Sequence, residues 1–307
     1  MKNVILYLAV ACFWSGSFIA IEPLVKIVPP MAAAGLRLAI ALLFLFFILP
    51  YLKISYWIPK KSKLLIWITG LFAFTFPFAL LFWGEKTVAP GIAGVLNGTV
   101  PIWAFILGAI FTPGREPIVL KKFFGLLLGL AGVICIFWPK LGGDPSLPGV
   151  IAITFMAVSY AASSLMNREI FANYKHIHPF TNLFHQLIAG LIGLILLSAM
   201  FEGIPDINSW QPHSTVLLTS LYLGIISTCI AFMFFYHLIK VWGPIQATTV
   251  AYLVPAITLI FDFLLNHSKL KMNELAGLIF ITLGVMIINI NFSKIFKKQS
   301  STNRIRA

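Results

Sequence analysis

Arg37 stands inside the run MAAAGLRLAIALLF, where its charge has no polar neighbours along the helix. A guanidinium in such surroundings needs an acid, a set of acceptors or a route to the interface. Its planar fork also suits a carboxylate. Glu22 and Glu85 close the apolar runs on either side and are its candidate partners. Two readings stay open: the three residues form a gate, or Arg37 anchors the carboxylate of a solute. A second constellation lies in PGIAGVLNGTVP, residues 90–101, where Asn97, Thr99 and Pro101 interrupt a hydrophobic segment. PIQATTVAYLVP, residues 244–255, repeats the arrangement with Thr248, Tyr252 and Pro255. Proline inside a helix removes a donor and frees the carbonyl one turn back, so polar company is expected there. A third consists of matched aromatics and hydroxyls, Trp14 with Ser17 and Tyr160 with Ser163 and Ser164, which suit an amphipathic solute.

The elements that carry these groups follow from composition. The chain is 60% hydrophobic and 10% charged, with a mean hydropathy of +0.96. A soluble domain carries roughly 25% charged residues. Apolar windows long enough for a ~30 Å hydrocarbon core recur throughout. Ten spans are expected, near 4–22, 31–50, 64–84, 88–111, 122–138, 149–168, 181–201, 214–238, 243–265 and 274–293. Helix is the only reading, because alternating barrel strands are absent and a lipid-facing backbone must bond internally. The first span reads as a retained helix, since SGSFIAIEPLVK offers no small-residue cleavage site.

Charge sets the expected orientation. With the N-terminus inside, sixteen Lys and Arg fall on the cytoplasmic side and five on the other. That asymmetry predicts cytoplasmic termini and a cell (inner) membrane location. The formal charge of +13 then reports topology and not a nucleic-acid partner. Cys12, Cys135 and Cys229 all fall in spans, with no zinc or disulfide spacing. Arg37 lies about 9 Å into the second span at ~1.5 Å per residue.

A shift of 154 residues superposes Pro90 to Pro101 on Pro244 to Pro255, Gly70 on Gly224 and Phe78 on Phe232. A shift of 146 brings ACFWSGS onto AVSYAAS, and GLLLGLAGV matches GLIFITLGV. Only 18 of 307 residues are proline, so paired prolines carry weight. The expected organisation is a first five-helix repeat over 1–140, a second over 149–293, and a basic tail over 294–307. Five is odd, so the second repeat crosses in the opposite sense. The fold class is an all-α membrane protein of ten transmembrane helices in two inverted five-helix repeats. Such halves can exchange conformations around a midplane site. Trp14, Ser17, Asn97, Thr99, Pro101, Tyr160, Ser163, Thr248, Tyr252 and Pro255 are the expected cavity residues.

These stretches resemble the drug/metabolite transporter superfamily, EamA-type. FWSGSFIAIE is similar to its first helix, PPMAAAGLRLAIALLF to its second, and LFWGEKTVAPGIAGVLNGTVPIW to its third-to-fourth junction. GPIQATTVAYLVPAITLIFDFLL and LAGLIFITLGVMI resemble its ninth and tenth helices. The resemblance implies a ten-helix carrier of a small metabolite, often an exporter of amino acids, acting by alternating access. Two departures stand out. Glu22 occupies the place of a lysine and Ser17 that of an asparagine, while Ser268 replaces a glutamate whose counterpart in the first repeat is Glu116.

Other chemistries find less support. No Gly-Lys-Ser/Thr phosphate loop is present, so ATP use, cofactor and metal are not assigned. A membrane enzyme needs converging acid, base or nucleophile, and the nine acidic residues sit mostly in loops or at helix ends. A regulatory protein without transport leaves the paired broken helices unexplained. His185, Gln186, His237 and Asp262 are the candidates for a coupling proton, but they form no chain at the midplane. Gly125, Gly129 and Gly132 give small-xxx-small spacing for packing or for a homodimer. The expected partners are a small-molecule solute and the lipid bilayer.

Overall fold

The structure is a computed structural model that describes residues 2–85, 87–88, 90–112, 119–142, 146–203, 214–266 and 271–289. Glu116, Ser268, the tail 294–307 and the side chains of Glu22, Glu85 and Asp262 lie outside the described residues. Ten long apolar helices carry the chain: α1 Lys2–Val25, α2 Pro30–Tyr51, α3 Lys60–Leu81, α4 Ile92–Phe111, α5 Leu120–Phe137, α6 Leu147–Asn173, α7 Pro179–Phe201, α8 Ser214–Trp242, α9 Pro244–Phe261 and α10 Met272–Asn289. No strand occurs among the described residues. The protein is an all-α, multi-pass membrane protein with ten spanning helices. The ends expected from sequence differ mainly at α6, which runs on to Asn173 and not to 168.

Local chemistry starts several of these helices. Pro30, Pro148, Pro179 and Pro244 stand in first turns, where the missing N–H costs nothing. Ser146 caps α6 by accepting from the Gly149 N–H at 3.2 Å. Glu202, just past α7, caps α2 from outside. Its two carboxylate oxygens accept from the Met31 and Ala32 N–H groups at 2.8 and 3.0 Å. An anion at a helix N-terminus is favourable, and this one ties α2 to α7. Between α8 and α9 the chain turns at Gly243 with φ of 90°, a conformation that favours glycine.

Packing follows an exchange rule. α2 packs on α7, and α5 on α10. α3 packs on α6 as α8 packs on α1, and α4 packs on α6 as α9 packs on α1. Swapping the first five helices for the last five maps each of these contacts onto itself or onto another of them. The main core joins α1, α2, α3, α6, α7 and α8, and a second core joins α5, α9 and α10. The outward faces are apolar, as on α10, where Leu275, Ile279, Leu283 and Met286 are exposed at helical spacing.

The glycine series of α5 is consumed inside the chain. A Cβ on Gly132 would lie 2.7 Å from the Gly277 carbonyl oxygen, and one on Gly284 would lie 2.6 Å from the Gly129 nitrogen. The α5 and α10 backbones therefore touch, and this glycine face is closed to a second copy of the chain. Gly132→Val should destabilise the purified protein by about 1–3 kcal/mol, the usual cost of overpacking. Gly35→Ala, with nothing within 4 Å of its would-be Cβ, should leave the thermal midpoint in place. Equal midpoints for the two variants would refute this packing.

Candidate functional site

Both halves distort their helices at corresponding places. In α4 the helix stops at Asn97 and resumes at Val100. In α9 it stops at Thr248 and resumes at Val250. The chemistry of the two breaks is the same. Thr99 Oγ1 donates to the Leu96 carbonyl at 2.5 Å, and Thr249 Oγ1 donates to the Gln246 carbonyl at 2.6 Å. The Ile102 and Tyr252 N–H groups then reach back three residues to Thr99 and Thr249. The chemical twin of Thr99 is thus Thr249, one turn from the place that the 154-residue shift assigns. The prolines are not twin breaks either. Pro101 sits in the first turn of the resumed helix, where a donor is not needed, while Pro255 lies inside the resumed helix, six residues after Thr249.

α3 and α8 carry a second pair of distortions. Leu71–Thr75 and Tyr222–Ile230 wind as π-helix, which leaves backbone groups without their usual partners. Side chains from the opposite half supply them. Ser159 Oγ donates to the Phe72 carbonyl at 2.9 Å, and Trp14 Nε1 donates to the Ser227 carbonyl at 3.1 Å.

The breaks of α4 and α9 border a cavity of about 310 Å³, lined there by Asn97, Val100, Thr248 and Val250. Trp14, Ser17, Arg37, Asn97, Tyr160, Ser163, Thr248 and Pro255, all expected from sequence, line it. Trp14 with Ser17 and Tyr160 with Ser163 form matched units. Each serine hydroxyl donates to the aromatic residue's carbonyl, at 2.5 and 2.9 Å. That leaves the oxygen's acceptor side available. Phe78, Phe137, Phe232, Phe235 and Tyr236 complete a largely aromatic wall.

Arg37 is 6% exposed. Its Nε donates to Thr228 Oγ1 at 2.6 Å, and one Nη2 faces Ser227 Oγ at 3.1 Å and the Ser227 carbonyl at 3.4 Å. Its Cζ sits 4.8 Å from the centre of the Phe78 ring. Every described partner is neutral. The expected acids Glu22 and Glu85 have side chains outside the described residues.

Three expected residues stay off the wall. Thr99 turns its hydroxyl onto its own helix. Pro101 is buried. Tyr252, fully buried, donates to the Leu126 carbonyl at 2.9 Å, with its ring 2.6 Å from a would-be Cβ on Gly129. It locks α9 to α5. Two further tryptophans near the cavity helices also stay off the wall: Trp83 is 46% exposed, and Trp103 packs beside Val100, Ala104 and Ala157.

Toward the end of the bundle where α1 begins, the space is closed by a buried polar network. Asn167 Oδ1 accepts from Asn182 Nδ2 at 2.7 Å and from Gln186 Nε2 at 2.9 Å. Tyr236 donates to Gln186 Oε1. Tyr7 and Thr249 hydroxyls meet at 2.7 Å, and the Tyr7 ring packs tilted against Trp242. His185 and His237 bond the Tyr56 carbonyl and Asn3, and neither lines the cavity. Among the described residues no three His, Cys, Asp or Glu side chains converge on a metal position. The wall offers a fixed cation, hydroxyls, one amide and aromatic faces, with one carboxylate, Glu274 at the start of α10, which also accepts from the Lys271 N–H at 2.8 Å. It can bind and orient, and it holds no nucleophile beside a base.

Comparison with known proteins decides the class of this arrangement. The EamA-like transporter family matches residues 1–138 and again residues 147–290. The chain belongs to the EamA-like transporter family. Bacillus subtilis "Uncharacterized transporter YoaV" is 26% identical over 96% of this chain and 99% of its own length. A Salmonella typhimurium protein named "Probable amino-acid metabolite efflux pump" is 25% identical over 93% of this chain and 94% of its own. A crystal structure with 19% identity superposes with a TM-score of 0.78, covering 94% of this chain and 96% of that one. That likeness speaks for the fold alone. This EamA-like protein is accordingly a membrane transporter.

Sequence reading named Ser164 beside Ser163, and it lines the cavity; it missed the α8 aromatics and the Ser227–Thr228 pair of this transporter. The Phe232, Phe235 and Tyr236 spacing carried a signal, since positions three and four apart share one helix face. The π-helical turn that presents Ser227 and Thr228 leaves no such trace. In a background without Cys12, Cys135 and Cys229, Asn97→Cys and Ser163→Cys should react with a small aqueous thiol reagent, and Tyr252→Cys should not. Equal reactivity at all three positions would contradict the cavity as placed.

Proposed function

We propose that this transporter is a secondary carrier that exports a small organic metabolite, such as an amino acid, by alternating access of two inverted repeats. One observation carries the reading: the cavity is walled by equivalent groups from both halves. Trp14 and Ser17 of the first half and Tyr160 and Ser163 of the second line it, and the helix breaks at Thr99 and Thr249 lie beside it. The exchange rule in the packing and the two successive family matches support a pair of repeats. Five crossings between them support opposite senses. The Salmonella relative's name speaks of amino-acid metabolite efflux, which fits a wall with a cation and aromatic faces.

The charge asymmetry supports cytoplasmic termini in an inner membrane, with the Tyr7–Thr249 side as the cytoplasmic side. The cavity lining then runs from mid-depth to the outer helix ends, at Ile21, Phe137 and Leu259. The described conformation is the outward-facing one in this reading, with the amide network as its floor. Purified protein in liposomes should move at least one member of an amino-acid and organic-acid panel above empty vesicles. A panel with no flux in either direction removes the carrier reading. A reporter fused after Ala307 should be active only as a cytoplasmic reporter; a periplasmic signal there reverses the orientation.

A further inference from the structure

We infer that Arg37 is the anion site of the central cavity, and that the solute it takes is an organic monocarboxylate with an apolar or aromatic body. The inference rests on the carrier reading for its purpose and on the geometry for its chemistry. Arg37 is more than nine-tenths buried, lines the cavity, and carries a charge at membrane depth. Buried charges are kept by partners, and isolated ones in a spanning helix mark substrate or ion paths. Its described partners are the hydroxyls of Thr228 and Ser227, the Ser227 carbonyl and the face of Phe78. All of these orient the guanidinium, and none of them neutralises it.

The orientation is specific. Thr228 Oγ1 is itself fixed, because it donates to the Leu223 carbonyl at 2.7 Å across the π-helical turn. Its lone pair therefore points at Arg37 Nε. With Nε and Nη2 held, Nη1 has no acceptor among the described residues. A carboxylate of the solute is the group that would fill it, with a charge-assisted bond. The remaining wall fixes the rest of the molecule. Trp14, Phe232 and Phe235 cluster in tilted and edge-to-face contacts, with ring centres 5.2 to 6.1 Å apart. Such a surface takes an apolar or flat body. A cavity of about 310 Å³ stands at the small end of the usual ~300–1,000 Å³ range, so the solute is of metabolite size.

The test compares matched acids and amides on the full-length purified transporter. The pairs are phenylacetate with phenylacetamide, 4-methylpentanoate with 4-methylpentanamide, and phenylalanine with phenylalaninamide. Apparent affinity is read from the shift of the thermal midpoint. Wild type should prefer the acid in at least one pair by roughly tenfold or more, the usual worth of a hydrogen bond to a charged group. Arg37→Gln should erase that preference, and Arg37→Lys should keep part of it. The phenylalanine pair separates an amino acid from a simple acid. Should Arg37→Gln fail to fold, the wild-type comparison still decides.

No acid preference in any pair overturns the inference, and so does an acid preference that survives in Arg37→Gln. A fixed ion pair is the rival: there Glu85→Gln reproduces the Arg37→Gln defect and the acids gain nothing. The liposome panel keeps the two levels apart. Flux of amines or neutral solutes alone would retire the anion site and leave the carrier standing.

Discussion

Inside hydrocarbon no water is present to take up a broken backbone hydrogen bond, and the architecture around the cavity follows from that constraint. Regular helices meet it without help, but regular helices present no polar backbone to a solute. The chain departs from regularity at four places, the breaks of α4 and α9 and the π-helical turns of α3 and α8, and each departure is answered. Threonine hydroxyls close the carbonyls at the breaks, and Ser159 and Trp14 close those at the wide turns. An unsatisfied group there costs several kcal/mol, more than one net hydrogen bond of about 1 kcal/mol returns. The answering residues are thus as necessary as the distortions. Because Ser159 and Trp14 reach across from the opposite half, the same bonds that repair the backbone also hold the two halves together.

The same reasoning explains how an arginine survives in α2. Placing its charge at the centre of a spanning helix costs about 2.5–3.5 kcal/mol on insertion scales. Hydrogen bonds to a charged group contribute about 1.5–3 kcal/mol each, and a desolvated ring face adds about 0.5–2 kcal/mol. Thr228, Ser227 and Phe78 together offset the cost. The empty protein can therefore keep Arg37 charged without an acid. A carboxylate partner in the protein would cover this requirement as well, but it would also silence the charge. Neutral partners leave the field of the guanidinium directed into the cavity.

Much of this was legible in the residues, and the unread part has physical reasons. Hydropathy alone placed ten helices to within a few residues at most ends, because spanning length is set by the bilayer. The repeat pointed to Trp14, Ser17, Tyr160 and Ser163, whose hydroxyl-to-carbonyl bonds are copies of each other. Tyr252 misled because it was chosen by distance from Pro255 along the chain. Thr248, Ala251, Pro255 and Thr258 share the cavity face of α9, while Tyr252, about 100° further round an ideal helix than Ala251, packs on Leu126 and Gly129 of α5. Helix face, and not proximity to a breaker, decides what lines a cavity. The proline pairing misplaced the second break for a related reason: a hydroxyl that bonds three residues back can loosen a helix without any proline. The partners of Arg37 were hidden more deeply, since a π-helical turn shifts the face of every later residue.

The floor of the cavity differs from its frame in one respect. The packing obeys the exchange of halves, but the polar network does not. At the aligned places of the first half, Asn167 is answered by Ile21 and Tyr236 by Phe82. At these two positions the first half carries apolar residues in place of the amide and the hydroxyl. The groups of the network are neutral, and that matters for a door. Breaking a buried ion pair costs about 3–5 kcal/mol, whereas a neutral hydrogen bond exchanged for water costs about 0.5–1.5 kcal/mol net. The bonds among Asn167, Asn182, Gln186 and Tyr236 add to a few kcal/mol. In the proposed carrier a gap of that size would leave the opened form as a minor population that a solute can draw upon. The paired frame would then supply two conformations, and the amide network would set which of them the empty protein prefers.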